Sequence, residues 1–394
     1  MRFLTTFSER SAHALRSFFF MLGWVSGTWI ALIPAFRLQW GLDLQQLGWL
    51  LLVGGVGAVS VYPVAHHGLP RLGSARMSVL TAVLLALAVV LMAWSPVLWV
   101  FVVGVYLAGA AAGASDSAVN AQAVEQERLA GGRSLMAGMH GFYSLGMLVA
   151  GGWVSIATYW QLMPRTQLSL AALVCVVAPW VVGTWLVRDP RTTLQVSGEV
   201  AAVPWNRALA MLGGLIVAGY LLEGSLLDWS GVYLQAELGA SLTQAPWGFM
   251  AFSFAMVSGR FLGDRVIQAW GPARTLARAG GLAAIGMAVS LSVPQLAVVI
   301  VAYAAVGLGM SVVVPVLFGL AGRLNPGDGG RTVAKVAMMG YAGVLGGPAL
   351  LGFLAHEWGL RAALLVLLLL ALAVWRWGAS AAALVEPAGT EATR

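Results

Sequence analysis

The sequence predicts an all-α membrane protein of twelve transmembrane helices in two pseudo-symmetric six-helix bundles, and three observations carry that expectation. Of 394 residues, 60% are hydrophobic and only 9% charged, with a mean hydropathy of +0.85. A water-soluble domain carries about 25% charged residues, so this chain needs another solvent. The apolar residues fall in stretches near the ~20 residues that cross hydrocarbon, where only a helix satisfies its own backbone hydrogen bonds. Finally, the chain is written twice. Gly131-Gly132-Arg133-Ser134 returns as Gly329-Gly330-Arg331-Thr332, Gly73-Ser74-Ala75-Arg76 as Gly271-Pro272-Ala273-Arg274, and Gly41, Leu44, Gln46 and Trp49 as Gly239, Leu242, Gln244 and Trp247, all at an offset of 198. Two copies of a many-helix unit suggest a transporter with a site between its halves.

The spans are expected near 16–37, 46–65, 75–94, 97–122, 134–157 and 167–187 in the first repeat. In the second they are expected near 208–234, 242–263, 273–292, 295–321, 333–355 and 360–380. The first is too long for a signal-peptide core and eleven others follow, so it reads as a retained helix. The second ends at His66-His67, read as loop residues. The fourth carries Asp116, Asn120 and Gln122, and the fifth carries His140 and Tyr143. The sixth holds the lone Cys175, which excludes an internal disulfide and reads as packing. A polar, proline-bearing segment at 189–206 then separates bundles 1–188 and 207–394 and reads as a cytoplasmic linker. The seventh span carries Glu223, Asp228 and Trp229, and the eleventh carries Tyr341 beside many glycines that read as close helix packing. The residues after Arg376 become small and polar and are expected to be disordered.

Orientation follows from the basic residues. With the amino terminus cytoplasmic, only Arg37, Arg165 and Arg361 of the 22 Lys and Arg lie outside. The net charge of +7 is therefore a topology signal, and charges scattered over short loops form no nucleic-acid stripe.

The two six-helix halves, the linker and the tract Gly259-Arg260-Phe261-Leu262-Gly263-Asp264-Arg265, continuing to Gly271 and Arg274, resemble the major facilitator superfamily. That tract is similar to the family's G-x-x-x-D-R loop between the second and third helices of a half. Glu223 through Ser230, Asp116 with Asn120-Ala121-Gln122, and His140 with Tyr143-Ser144-Leu145-Gly146 resemble the branch near the fucose permeases. In the first half, His66-His67 stand where Asp264-Arg265 stand in the second, so one of two expected charge clusters is absent. The arginine-glutamine and Gly-Pro signatures of proton-driven drug antiporters are also missing from the fourth and fifth spans.

Of fifteen acids, only Asp116, Glu223 and Asp228 lie well inside expected spans. Burying an acid there costs about 2.5 kcal/mol or more, which makes each a candidate for proton coupling. Counting from Arg207, Glu223 lies about 24 Å along its helix, past mid-membrane. Asp116 and Asn120 share a helix face, and His140 is expected at nearly the depth of Asn120. The three form either a proton relay or an interhelical clamp. The resemblance implies a gating role for Arg260, Asp264 and Arg265, with Asp264 capping the start of the fifth helix near Ser134. It also places Trp24, Trp29 and Trp229 on spans that line the pathway, where they join Asn120, Gln122, Tyr143 and Tyr341 as substrate-contact candidates.

No Gly-x-Ser-x-Gly elbow, phosphate-binding loop or two-histidine metal spacing stands in a credible context, so no enzyme and no cofactor is expected. The reading is an inner-membrane secondary transporter of a small polar solute, monomeric, working by alternating access and coupled to protons. Symport import leads. Antiport export of a metabolite, siderophore or drug is the alternative, and a non-transporting sensor or scaffold is the alternative of another class.

Overall fold

The computed structural model describes residues 6–131, 135–188, 205–324 and 329–385. Most of the expected linker, Ser134 and the residues after Val385 lie outside the described residues, while 377–385, expected to be disordered, continue a helix. The first half runs as α1 (Glu9–Trp40), α2 (Leu44–Ser60), α3 (Tyr62–Leu72), α4 (Ser74–Ala93), α5 (Leu98–Leu129), α6 (Met136–Tyr159) and α7 (Pro164–Val182). The second runs as α8 (Arg207–Ala236), α9 (Trp247–Ser292), α10 (Leu296–Met310), α11 (Val313–Leu324), α12 (Gly329–Trp358), α13 (Leu360–Ala363) and α14 (Leu365–Val385).

Among the described residues, 11 helical segments are long and apolar enough to cross a membrane. One of them, α9, has 46 residues and holds two of the expected spans, which brings the number to twelve. It breaks at Gly271, where φ is 71° and ψ 166°. Gly307 of α10 lies against Phe252 and Gly309 of α10 against Ala279. Residues 252 and 279 would stand about 40 Å apart on a straight helix, so α9 folds back on itself at Gly271.

Most helices outrun their apolar stretches. The first begins at Glu9 rather than near residue 16, capped by Ser8, whose side chain accepts from the Ser11 N–H. The fourth continues to Leu129. An apolar stretch marks hydrocarbon, but the backbone ladder persists into the interface until a cap or turn ends it.

Two elements differ in kind from expectation. His66 and His67 belong to the helix α3, where the His67 Nδ1 lies 2.7 Å from the Pro63 carbonyl. The tract 259–265 is also helical. No proline or forced positive φ occurs between Trp247 and Gly271, so the helix runs seven residues past Asp264 before it turns. Asp264 and Arg265 therefore lie on a helix flank rather than at its end.

The chain divides into two compact units. Met1–Leu42 with Trp49–Val196 form unit 1, and Asp43–Gly48 with Ser197–Arg394 form unit 2. In unit 1, α1 lies along α6 so closely that a Cβ on Gly23 would fall 1.9 Å from the Tyr143 carbonyl oxygen. The cores hold Phe18, Phe19, Phe36 and Phe101 in unit 1 and Trp229, Tyr233, Tyr303, Phe249 and Phe252 in unit 2.

The duplication extends to backbone detail. Positive φ occurs at Gly41 and Gly239, at Gly73 and Gly271, and at Gln161 and Gly359, each pair 198 apart. Asp43 and Gln46 exchange side-chain bonds with each other's backbone N–H, and the Ser241 N–H donates to Gln244 in the same way. Gly109 meets the Gly54 carbonyl as Gly307 meets that of Phe252, again 198 apart. Turns and close crossings are thus set by the repeated framework, and residues that break the repeat stand out against it.

Candidate functional site

The in-span acids, with Asn120, His140 and Arg260, break the repeat, whereas Tyr143 and Tyr341 keep it. The positions matching Asp116, Asn120 and His140 are Val314, Phe318 and Met338, and those matching Glu223, Asp228 and Arg260 are Val25, Ile30 and Tyr62. Packing alone is met by the uncharged partner in each pair, so the polar member needs another reason. Each unit carries one such set.

In unit 2, Arg260 of α9 donates through Nη2 to Glu223 Oε1 of α8 at 3.3 Å. The sequence reading placed both residues among the candidates but did not pair them. Their depths agree once Gly271 is known to be the turn. Glu223 lies about 24 Å from the start of α8 and Arg260 about 17 Å from the turn, a gap that an arginine side chain bridges. A tight arginine–carboxylate contact is about 2.8 Å, so this 3.3 Å contact is loose. Side-chain exposures of 36% for Arg260 and 19% for Glu223 leave the pair accessible rather than sealed in the core. A Cβ on Gly224 would meet nothing within 4 Å, so the helix has open space next to Glu223. Asp228 lies over a turn further along α8, half-buried and without an ion pair among the described residues.

In unit 1, the Asn120 amide donates to the Asp116 carboxylate and to the Asp116 carbonyl, both at 2.9 Å. The shared face expected from four-residue spacing is therefore used within α5. His140, on α6, sets its ring edge-on to Phe19 of α1 at 5.2 Å.

Other candidates are placed differently from expectation. Gln122 is fully buried, and its amide is consumed. It donates to Ser74 Oγ and the Val187 carbonyl and accepts from the Val187 N–H, all at 3.0 Å. With its polar atoms so engaged it ties α5 to the start of α4 and the chain after α7. Trp229, which the resemblance places on a pathway-lining span, is 0% exposed. Trp29 packs with Phe36 and Phe101 at 5.9 and 6.1 Å, and Trp24 with Trp153 at 6.2 Å. Tyr143 is half-buried and Tyr341 exposed. Asp264 and Arg265 are exposed on α9 and form no ion pair among the described residues.

The sequence reading missed Glu127. Its Oε1 accepts from the backbone N–H groups of Leu135 and Met136 at 2.6 and 2.9 Å, capping the start of α6. The carboxylate satisfies two orphan donors and faces the positive end of the helix dipole. The available signal was an acid in the last turn of one helix, a short Gly131-Gly132 turn away from the next.

Among the described residues, no group of three His, Cys, Asp or Glu could hold a metal ion. The arrangement offers one accessible ion pair and one carboxylate–amide pair inside spans, groups suited to exchange a proton or a polar solute.

Comparison with known proteins agrees with these features. The Major Facilitator Superfamily model matches residues 211–392. An uncharacterised MFS-type transporter of Yersinia pestis is 33% identical over 86% of this chain and 87% of its own. Membrane protein MosC of Rhizobium meliloti is 32% identical over 89% of this chain and 85% of its own. The solved nucleoside transporter NupG superposes with a TM-score of 0.74 at 12% identity, covering 95% of this chain and 99% of that one. The MFS transporter FucP does so with a TM-score of 0.64 at 16% identity over 94% and 98%. These last two likenesses are of fold. With its membrane-length helices, its written-out duplication and its relatives, the chain belongs to the major facilitator superfamily and is a multi-pass secondary transporter.

Proposed function

We propose that the protein couples movement of a small polar solute to protons by alternating access, with Glu223 as the group that carries the proton and Arg260 as the partner it releases. The observation behind this is the loose, accessible Glu223–Arg260 contact inside two spans, at positions where the first repeat has Val25 and Tyr62. A carboxylate beside a guanidinium inside a span is held as an ion pair. Protonation removes that attraction and releases the Arg260 Nη2 from Glu223, so that it can turn to an acceptor on a solute. Solute and proton then enter together, which favours symport import over antiport export. Asp116 with Asn120 and His140 is the second polar station, and Asp228 the reserve acid. Arg260 gates through its link to Glu223, whereas Asp264 and Arg265 serve as flank charges. Tyr143, Tyr341, Trp24 and Trp29 remain candidates for solute contact.

The bundles are taken as 1–188 and 207–394, joined by 189–206, with both termini cytoplasmic in the inner membrane. Hydroxyl-rich solutes are the first class to test, because the polar groups inside the spans are few and suited to hydroxyl acceptors and donors. A thermal-shift screen of the purified monomer against sugars, nucleosides and organic acids finds the solute, since a bound ligand stabilises the folded state by mass action. Proteoliposome uptake then tests coupling. If the solute accumulates with no proton movement, the reading fails.

A further inference from the structure

Where α4 ends in unit 1, Trp94 stands just beyond the helix and is 57% exposed. Its indole Nε1 donates to Ser169 Oγ at 3.0 Å, and the Arg165 guanidinium lies 4.8 Å from its ring centroid. The residue 198 positions later, at the end of α9, is Ser292. There the space is open, and a cavity of about 490 Å³ is lined by Ala288, Ser292, Trp358, Arg361, Leu365 and Leu368. The second repeat thus has a small hydroxyl beside the cavity where the first has an indole held by Ser169 and Arg165.

The lining is divided by chemistry. Arg361 is fixed by the end of α9, since its Nε donates to the Leu291 carbonyl at 2.8 Å and its Nη2 donates to the same oxygen. The other guanidinium N–H groups have no protein partner among the described residues. Ser292 and Trp358 are exposed beside it, Trp358 at 71%, as expected of an indole at the membrane–water boundary. The rest of the wall is aliphatic, and on the same two helices, α9 and α14, Ile285 is 65% and Leu369 63% exposed. Side chains so apolar and so exposed in a membrane protein face lipid.

We propose that this cavity holds one anionic phospholipid, its phosphate on Arg361 and Ser292 and its acyl chains along Leu365, Leu368 and Ala288. A single preset cation at the boundary matches one phosphate. An open aliphatic wall leading into hydrocarbon matches a tail, and a water-borne solute would leave that wall unsatisfied. The site lies wholly within unit 2 and is independent of the Glu223–Arg260 contact.

Native mass spectrometry of the full chain in detergent, titrated with phosphatidylglycerol, diacylglycerol or inorganic phosphate, tests it. One phosphatidylglycerol is expected to be retained, with Arg361→Gln weakening it about tenfold, the loss of one charge-assisted contact. Ser292→Trp copies the residue of the first repeat and leaves the Arg361–Leu291 contact in place. It should abolish retention while the thermal transition of the protein is kept, which separates loss of the site from loss of the fold. Retention of diacylglycerol as strong as that of phosphatidylglycerol, or retention unchanged in Ser292→Trp, would overturn the proposal. So would inorganic phosphate alone competing the lipid away at equal concentration, since that describes a free-anion site.

Discussion

Arg260 and Glu223 meet at 3.3 Å between α9 and α8, two spans of the same unit, and the first repeat has Tyr62 and Val25 in their places. The framework around them is duplicated down to the φ angles of its turns, so this pair is an addition to the fold and not a requirement of it. Removing one partner leaves the other charge uncompensated, which costs about 3–5 kcal/mol when such a pair is buried and less at the partial exposure here.

Glu223→Gln should therefore lower thermal stability less than Glu223→Leu, because the amide still accepts from Arg260. Arg260→Gln should be harmful alone and partly rescued by Glu223→Gln. Melting of the four variants in detergent gives the double-mutant cycle, and a coupling near zero would mean the contact has no energetic weight.

Gln122→Leu should destabilise unit 1 by about 2–4 kcal/mol, because the Val187 N–H and carbonyl lose their partner in a buried site. A thermal shift of that size with solute affinity unchanged in the remaining folded protein would bear out a structural role. A changed affinity at unchanged stability would return Gln122 to the solute contacts.

Glu127→Ala should cost about 1–2 kcal/mol and expose the first turn of α6. Hydrogen exchange at Leu135 and Met136 reports it directly. Protection equal to wild type would mean that another group caps the helix.

Gly307→Leu and Gly109→Leu should both block folding, since a Cβ would lie 2.1 Å from the Phe252 carbonyl oxygen and 2.0 Å from that of Gly54. Gly346→Ala should be tolerated, because its Cβ would meet nothing within 4 Å. Size-exclusion profiles of the three variants decide it, and equal profiles would deny that these crossings are close.

The fold was legible because composition, span length and repetition are all one-dimensional. The 198-residue offset paired Gly41 with Gly239 and Gly73 with Gly271, and the structure has positive φ at all four. Partners were not legible where they depend on where a helix stops. Reading 259–265 as a loop hid the depth match of Arg260 with Glu223 and put Asp264 at a helix end that lies seven residues further on. Gln122 read as a solute contact because a polar residue in a span has the same signature whether it binds a ligand or closes a buried clasp. The complete burial of Trp229 was not legible either, as periodicity does not say which face of a central helix is covered. Glu127 was overlooked because its cap spans two helices and has no fixed spacing.

Uptake into proteoliposomes under an imposed proton gradient, for the solute found by thermal shift, tests the central claim most directly. Wild type should accumulate the solute above equilibrium with proton entry, and Glu223→Gln should equilibrate it without accumulation. Accumulation by Glu223→Gln to the wild-type level would contradict the account.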